Sequence, residues 1–141
     1  MLADLLRQRG ITCEVLRGAM RAKERDAVMA ALDDTQVLIA TGKYIGEGFD
    51  FPRLDTLFLG LPISWKGSLA QYAGRIHRQS AGKDMVVIYD YLDASLPTLE
   101  RMFGCRAKAY EALGYSVGEG EGSTLVQGKL GQATLRFASQ E

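Results

Sequence analysis

Apolar and polar positions along the chain follow two different spacings, one typical of helices and one typical of strands. Leucines at helical intervals before Gly10 predict a short first helix, and the residues that follow, 11–16, predict a strand. Strong helix formers fill residues 21–33, which predicts a second helix. The predicted buried positions of that helix are Val28, Ala31 and Leu32.

Short, almost wholly apolar runs predict strands that are covered on both faces. These runs span residues 37–40, 56–61 and 85–89. Apolar residues at helical spacing predict further helices over residues 67–78 and 96–113. Because strands and helices alternate, the pattern predicts an α/β fold with a mainly parallel sheet flanked by helices, whose ligands bind at the carboxyl ends of the strands. Such a domain normally begins with a strand, so we expect its first strand to be missing from this sequence.

The end of the chain departs from this alternation. Glycine and glutamate alternate over residues 118–122, which predicts a flexible connector after the last helix. Residues 124–126 and 133–137 could pair beyond it as a small hairpin. The predicted organisation is therefore an α/β domain over residues 1–114 and a connector with a hairpin over residues 115–141.

The composition is that of one soluble globular domain, with 141 residues of which 47% are hydrophobic. Lysine plus arginine and aspartate plus glutamate both number 17, so the overall charge does not support a polycationic nucleic-acid binder. A local basic patch does exist, because residues 66–83 contain lysine, arginine and histidine but no acidic residue. Any binding to nucleic acid is therefore expected to be local.

The lack of a recognisable signal peptide or membrane span and the small number of cysteines both favour an intracellular protein. The N terminus alternates apolar and charged residues too quickly for a signal peptide, and no run approaches the ~18 apolar residues of a membrane span. Cys13 and Cys105 lie far apart and have no metal-ligand neighbours, so we expect neither a metal site nor a disulfide and predict both to be reduced core residues. The expected location is the cytoplasm, or the nucleus in a eukaryote, with no membrane partner.

The basic patch lies on the helix predicted over residues 67–78, and that helix has two distinct faces. At ~100° per residue, one face collects apolar residues and the other collects Gln71, Arg75 and Arg78. The apolar residues are Leu69, Tyr72, Ala73 and Ile76. Two guanidinium groups one turn apart could neutralise the charge that develops on a transferring γ-phosphoryl group. Helical spacing alone also fits an exposed helix whose polar face is basic.

The order of residues on this helix is more specific than its spacing. Residues 71–78 read Gln-Tyr-Ala-Gly-Arg-Ile-His-Arg, which resembles motif VI of superfamily 2 helicases, Gln-x-x-Gly-Arg-x-x-Arg. The resemblance implies a C-terminal, second RecA-like domain with a three-layer fold. It further implies that Arg75 and Arg78 are catalytic arginine fingers that reach the ATP phosphates across a cleft, and that Gln71 belongs to the same ATP-binding cluster. Gly74 lies beside them, where its missing side chain lets a phosphate approach at a helix cost of ~1 kcal/mol.

A glycine-rich loop follows one of the predicted strands. Residues 41–50 read Thr-Gly-Lys-Tyr-Ile-Gly-Glu-Gly-Phe-Asp, and glycines there permit turns whose amides can meet phosphates. As structure alone, the loop could be a tight connection in which Asp50 caps a turn. The segment resembles helicase motif V, which implies nucleic-acid contacts for Thr41 and Gly42 and ATP contacts for Gly48 and Asp50. Thr41 and Asp50 are nine positions apart, one more than in most of the family, which weakens the role of the threonine.

Four further residues carry weaker signals. Arg17 and Gly18 follow the first strand in an arrangement similar to a family segment that touches the nucleic-acid backbone, although a turn glycine beside a solvated arginine is the simpler interpretation. Trp65 could stack on a base, or it could anchor packing. His77 has no carboxylate or nucleophile at suitable spacing, so we predict a structural or solvent-facing role.

The sequence lacks the parts that hold ATP and magnesium in such motors. It has no Gly-x-x-x-x-Gly-Lys-Ser/Thr loop and no strand that ends in Asp-Glu. The expected cofactor is ATP with Mg²⁺, the metal being held by an N-terminal RecA-like domain of the same polypeptide, and the chain alone is expected to be inactive. The motif wording looks like the type III restriction, excision-repair and antiviral-sensor branch, which implies DNA or RNA as partner and favours double-stranded substrates. A non-catalytic nucleic-acid-binding or scaffold module and a polypeptide-translocating motor remain alternatives.

Overall fold

A computed structural model describes the backbone of residues 1–41, 49–60, 63, 66–92, 95–119, 124–129 and 132–139. Side chains are described within these ranges up to residue 116, except at 66–68 and 92. The chain divides into two compact units, Met1–Phe49 and Asp50–Glu141, and each is described by itself.

The first unit contains two helices and two parallel strands. In chain order these are α1 (Leu2–Gln8), β1 (Cys13–Leu16), α2 (Ala22–Ala31), a single 3₁₀ turn (Leu32–Asp34) and β2 (Val37–Ala40). Gly10 has φ +76°, a conformation that glycine adopts readily, and it reverses the chain after α1. Strand β1 pairs with β2 in parallel, and Leu16 lies opposite Ala40. The helices and strands predicted for this part of the chain are confirmed.

The core of the first unit forms where α2 packs on β1. Val28 and Leu32 are one helical turn apart and are both buried, as are Cys13 and Leu16 on the strand. Ala31 is only partly buried, because the helix ends there and the chain tightens into the 3₁₀ turn. Two of the three predicted buried positions of α2 are therefore confirmed.

The second unit consists of a sheet with two helices packed on it. Its elements are β3 (Thr56–Leu59), α3 (Lys66–Ile76), β4 (Met85–Leu92), α4 (Pro97–Ala112), β5 (Tyr115–Glu119), β6 (Thr124–Lys129) and β7 (Gln132–Ser139). Strands β3 and β4 are parallel, with Leu59 opposite Asp90. Strand side chains alternate between faces, so one face of β4 presents Val86, Ile88 and Asp90, all of which are buried. These side chains and Leu59 form the core with α3 and α4.

The burial of β3 is one-sided rather than two-sided as predicted. Phe58, on the face opposite Leu59, is 56% exposed and stacks on Tyr89 of the neighbouring strand, with ring centroids 4.6 Å apart. Cys105 also differs from its prediction, because it lies on the outer side of α4 and is exposed, whereas Cys13 is buried as expected. Both cysteines are unpaired.

The end of the chain differs from the predicted connector. Gly114, with φ +82°, turns the chain out of α4, and the buried ring of Tyr115 begins strand β5, which runs through the first of the predicted connector residues. Strands β6 and β7 form the antiparallel hairpin that the sequence predicted, and β6 also pairs with β4. The strand order is β3-β4-β6-β5-β7, so the segment after residue 114 continues the sheet of the second unit.

Candidate functional site

Helix α3 has the two faces that its sequence predicts. Leu69, Ala73 and Ile76 are 0, 1 and 3% exposed in the core, and Tyr72 packs against that core. Gln71 is exposed and Arg75 is half-buried on the other side. The helix ends at Ile76, two residues earlier than predicted, so Arg78 lies in the bend that follows it.

Arg78 and Asp50, both of which the motif resemblances predicted to contact ATP, are in direct contact. The guanidinium Nη1 donates a hydrogen bond to Asp50 Oδ2 at 2.7 Å, although the two residues are 28 positions apart. The side chains are 49 and 47% exposed. An ion pair this open to water is worth about 0–1 kcal/mol, so it orients the guanidinium toward Asp50 without committing it to that partner.

A lysine ties together the backbone on both sides of this pair. The amino group of Lys83 donates to the carbonyl of Arg78 at 2.8 Å and to the carbonyl of Pro52 at 3.0 Å. Burial lowers the pKa of Lys83, and the Asp55 carboxylate opposes that shift. In the sequence, this lysine is distinguished only as the last residue of the basic patch over residues 66–83.

His77 connects the bend that contains Arg78, called the arginine bend below, to the aromatic part of the core. Its ring meets that of Tyr115 edge-on, with centroids 4.9 Å apart. Neither His77 Nε2 nor the Tyr115 hydroxyl has a hydrogen-bond partner within the described part of the chain. Burial, and then the nearby Lys83, lower the pKa of His77, which favours a neutral imidazole. The packed ring fits the structural role predicted for this residue.

A second Asp–Arg pair in the same unit is buried, and sequence reasoning missed it. Arg106 Nε and Nη2 donate to the two oxygens of Asp90 at 2.6 and 2.8 Å, and the Tyr110 hydroxyl donates to Asp90 at 2.9 Å. The remaining guanidinium nitrogen donates to the carbonyl of Ile63 at 2.9 Å, three residues before α3 begins. A lone carboxylate in an apolar strand, facing an arginine and a tyrosine four positions apart on a helix, is the signal that could have found it.

Gly74 lies on the exposed side of α3. A β-carbon built on it meets no described atom within 4 Å. Packing among the described residues therefore gives no reason for a glycine inside a helix, where it costs about 1 kcal/mol relative to alanine.

The first unit brings together the residues predicted to touch nucleic acid. The amide of Thr41 donates to the carbonyl of Leu16 at 3.1 Å, which extends the parallel pairing of β1 and β2 by one residue. Arg17 begins the turn after β1, and this turn includes Gly18. A hydrogen bond from the Met20 amide to the Arg17 carbonyl closes the turn. Arg17 and Thr41 are exposed at neighbouring carboxyl ends of parallel strands, where ligands of such sheets bind.

Some predicted residues lie outside the described part of the chain, namely Gly42, Gly48 and Trp65. In the described ranges, no cluster of three histidine, cysteine, aspartate or glutamate residues could hold a metal ion. The same ranges contain no helix that is long and apolar enough to cross a membrane.

Comparison with known proteins identifies the family. Residues 1–80 match the family described as Helicase conserved C-terminal domain, and the chain belongs to that family. Its fold is accordingly α/β and RecA-like, with helices and parallel strands in each of the two units, and its role is helicase-related.

Two viral proteins are each similar to a little more than half of the chain. Putative helicase 161L of Invertebrate iridescent virus 6 is 40% identical over 81 residues, which cover 56% of this chain and 17% of that protein. Uncharacterized protein 108L of Invertebrate iridescent virus 3 is 38% identical over 79 residues, which cover 55% of this chain and 70% of that protein. The chain therefore spans about a sixth of the first relative. No solved structure matches it.

Proposed function

We propose that this chain is the second half of an ATP-dependent nucleic-acid helicase or translocase. It contributes Arg75 and Arg78 as arginine fingers, and Gln71, Gly48 and Asp50 as further ATP contacts. An N-terminal RecA-like domain of the same polypeptide holds the triphosphate and Mg²⁺. The chain alone does not hydrolyse ATP. The observation that carries this proposal is the half-exposed contact between Arg78 and Asp50.

The openness of that contact suits an arginine finger. A guanidinium presents a planar fork of donors to phosphate oxygens, and its charge does not depend on pH. Because the bond to Asp50 contributes little free energy, exchanging it for a phosphate costs little. The charge-assisted bonds to a phosphate are stronger than an exposed ion pair, so binding of nucleotide drives the exchange.

The exposed strand ends of the first unit suit contacts with a nucleic-acid backbone. Arg17 offers a cation and Thr41 a hydroxyl, groups that commonly bind phosphate and sugar, and Gly18 and Gly42 are the proposed nucleic-acid contacts next to them in the sequence. Contacts of this kind position a strand without reading its sequence. They suit a motor that steps along nucleic acid of any sequence.

The proposed helicase branch and substrate class rest on which residues occupy the two motifs. The run Gly-Glu-Gly-Phe-Asp at residues 46–50 and the glutamine at 71 favour the type III restriction and excision-repair-like branch. Double-stranded nucleic acid, either DNA or RNA, is therefore the proposed track. The cytoplasm or nucleus is the proposed location.

The test is ATP turnover by the polypeptide that includes the N-terminal domain, measured with duplex DNA, duplex RNA, single strands and an unfolded polypeptide. A duplex is expected to stimulate turnover more than single strands do, and comparison of the two duplexes distinguishes DNA from RNA. The 141-residue chain by itself is expected to give no turnover. Stimulation by polypeptide alone would identify a protein-translocating motor instead. Absence of ATP turnover under all conditions would favour a non-catalytic scaffold.

A further inference from the structure

Lys83 lies at the end of a tight turn that follows the arginine bend. Gly82 has φ +77°, and the Lys83 amide donates to the Ser80 carbonyl at 3.2 Å, so the turn brings the lysine back toward α3. Its amino group bonds to the carbonyls of Arg78 and Pro52 at 2.8 and 3.0 Å. The first carbonyl belongs to Arg78. The second belongs to Pro52, which lies two residues after Asp50, the partner of Arg78.

Both bonds are strong for a side chain near the surface. A bond from an ammonium group to a carbonyl is charge-assisted and is roughly twice as strong as a neutral one. The last carbonyls around a helix end lack partners within the helix, and a cation there also interacts favourably with the helix dipole. The ammonium therefore fixes the backbone from which the Arg78 side chain projects.

Fixing the backbone does not fix the guanidinium. The Arg78 side chain is 49% exposed and has one described bond, to Asp50, so it can rotate about its own torsions. An arginine finger that must exchange a carboxylate for a phosphate needs a mobile guanidinium group on a backbone that stays in place. Displacement of that backbone by about 1 Å can cost on the order of 10²-fold in rate.

We propose that Lys83 is a positioning residue for Arg78. Its ammonium group joins the Arg78 and Pro52 carbonyls, so that the guanidinium moves between Asp50 and a nucleotide phosphate while the Arg78 backbone stays in place. This inference rests on the function proposed above. The described bonds of Lys83 are to backbone carbonyls of this chain, so the proposed role is exercised through Arg78.

The variant Lys83→Met removes the ammonium group and keeps the aliphatic stem. In the polypeptide that includes the N-terminal domain, we expect kcat for ATP to fall by about 10- to 100-fold, with KM within about twofold, because the lost positioning acts in the transition state. Lys83→Arg keeps a cation that can reach both carbonyls and should restore most of the rate. Lys108→Met, which removes an exposed lysine from α4, is the matched control and should leave turnover unchanged.

A double variant separates positioning from general structural damage. If Lys83 acts through Arg78, Lys83→Met should not lower turnover further in an Arg78→Ala background. A role in folding alone would lower turnover by the same factor in both backgrounds, and that result would overturn the inference. Should Lys83→Met fail to fold, Lys83→Gln, which keeps one amide donor, carries the same comparison.

Failure of this inference is distinguishable from failure of the proposed function. If Arg78→Ala lowers turnover and Lys83→Met does not, the finger stands and the positioning role is wrong. If Arg78→Ala leaves turnover unchanged, the finger assignment and the role of Lys83 are both wrong.

Discussion

Two Asp–Arg pairs in the second unit use the same chemistry in opposite surroundings. Asp90 and Arg106 are 2 and 3% exposed and are joined by two hydrogen bonds, whereas Asp50 and Arg78 are each about half exposed and are joined by one. The buried carboxylate accepts a third bond, from Tyr110, and the buried guanidinium also binds the Ile63 carbonyl.

The difference in burial determines how much free energy it costs to separate each pair. Separating a buried pair leaves charges without water, which costs about 3–5 kcal/mol, so Arg106 is committed to its partners. Separating the exposed pair costs about 0–1 kcal/mol, so Arg78 can change partners within a catalytic cycle. The buried pair holds the chain at the start of α3, and the exposed pair lies just beyond its end.

The largest effect expected from this comparison is on catalysis. Arg78→Ala in the polypeptide that includes the N-terminal domain should lower ATP turnover by ~10³-fold or more, because an arginine finger stabilises charge in the transition state. Thermal unfolding of the variant should change little, since its ion pair is exposed. Steady-state ATPase assays and calorimetry on the same samples measure both quantities. Wild-type turnover in this variant would remove Arg78 from the mechanism.

The buried pair should behave in the opposite way. Arg106→Ala leaves Asp90 buried without its cation and should lower the free energy of unfolding by roughly 3 kcal/mol, as measured by urea denaturation of the chain. Arg101→Ala, which removes an exposed arginine from the same helix, should change it by less than about 0.5 kcal/mol. Equal effects from the two substitutions would mean that the Asp90–Arg106 pair contributes nothing to stability.

Sequence reasoning reached the exposed pair more readily than the buried one. Helical periodicity predicted the two faces of α3, and two separate motif resemblances implied that Asp50 and Arg78 both contact ATP, although neither predicted that they contact each other. Asp90 and Arg106 are 16 positions apart on a strand and a helix, and their contact depends on how α4 packs on the sheet. Local spacing carries no information about that packing. For the same reason the exposure of Cys105 and the strand β5 were not predicted.

A smaller effect is expected from the exposed side of α3, next to Arg75. Gly74→Ala should raise the free energy of unfolding by about 0.5–1 kcal/mol, because alanine favours the helix and the added methyl meets no described atom. The same variant should lower ATP turnover if a phosphate or the N-terminal domain approaches the helix there. Gly104→Ala is the matched control, because Gly104 is an exposed glycine inside α4 with the same open surroundings. It should stabilise the chain and leave turnover unchanged, and a loss of turnover in both variants would contradict this interpretation.

The smallest effect tests the aromatic row that lies between the two pairs. His77 precedes Arg78 and packs on Tyr115, whose ring lies 6.0 Å from that of Tyr110, the residue bound to Asp90. Burial holds the pKa of His77 below 6.5, so the unfolded chain binds more protons in this range. Stability contributed by neutral His77 is therefore complete above about pH 6.5 and is lost as pH falls through the lower folded pKa.

His77 is the single histidine of the chain, so no other histidine contributes to this titration. Urea denaturation between about pH 7.5 and pH 5.5 should show the free energy of unfolding decreasing toward low pH. His77→Phe keeps a ring against Tyr115 without a titrating group, so its profile should be flatter over the same range. Identical profiles for the two proteins would show that protonation of His77 does not disturb the packing that connects the arginine bend to the buried pair.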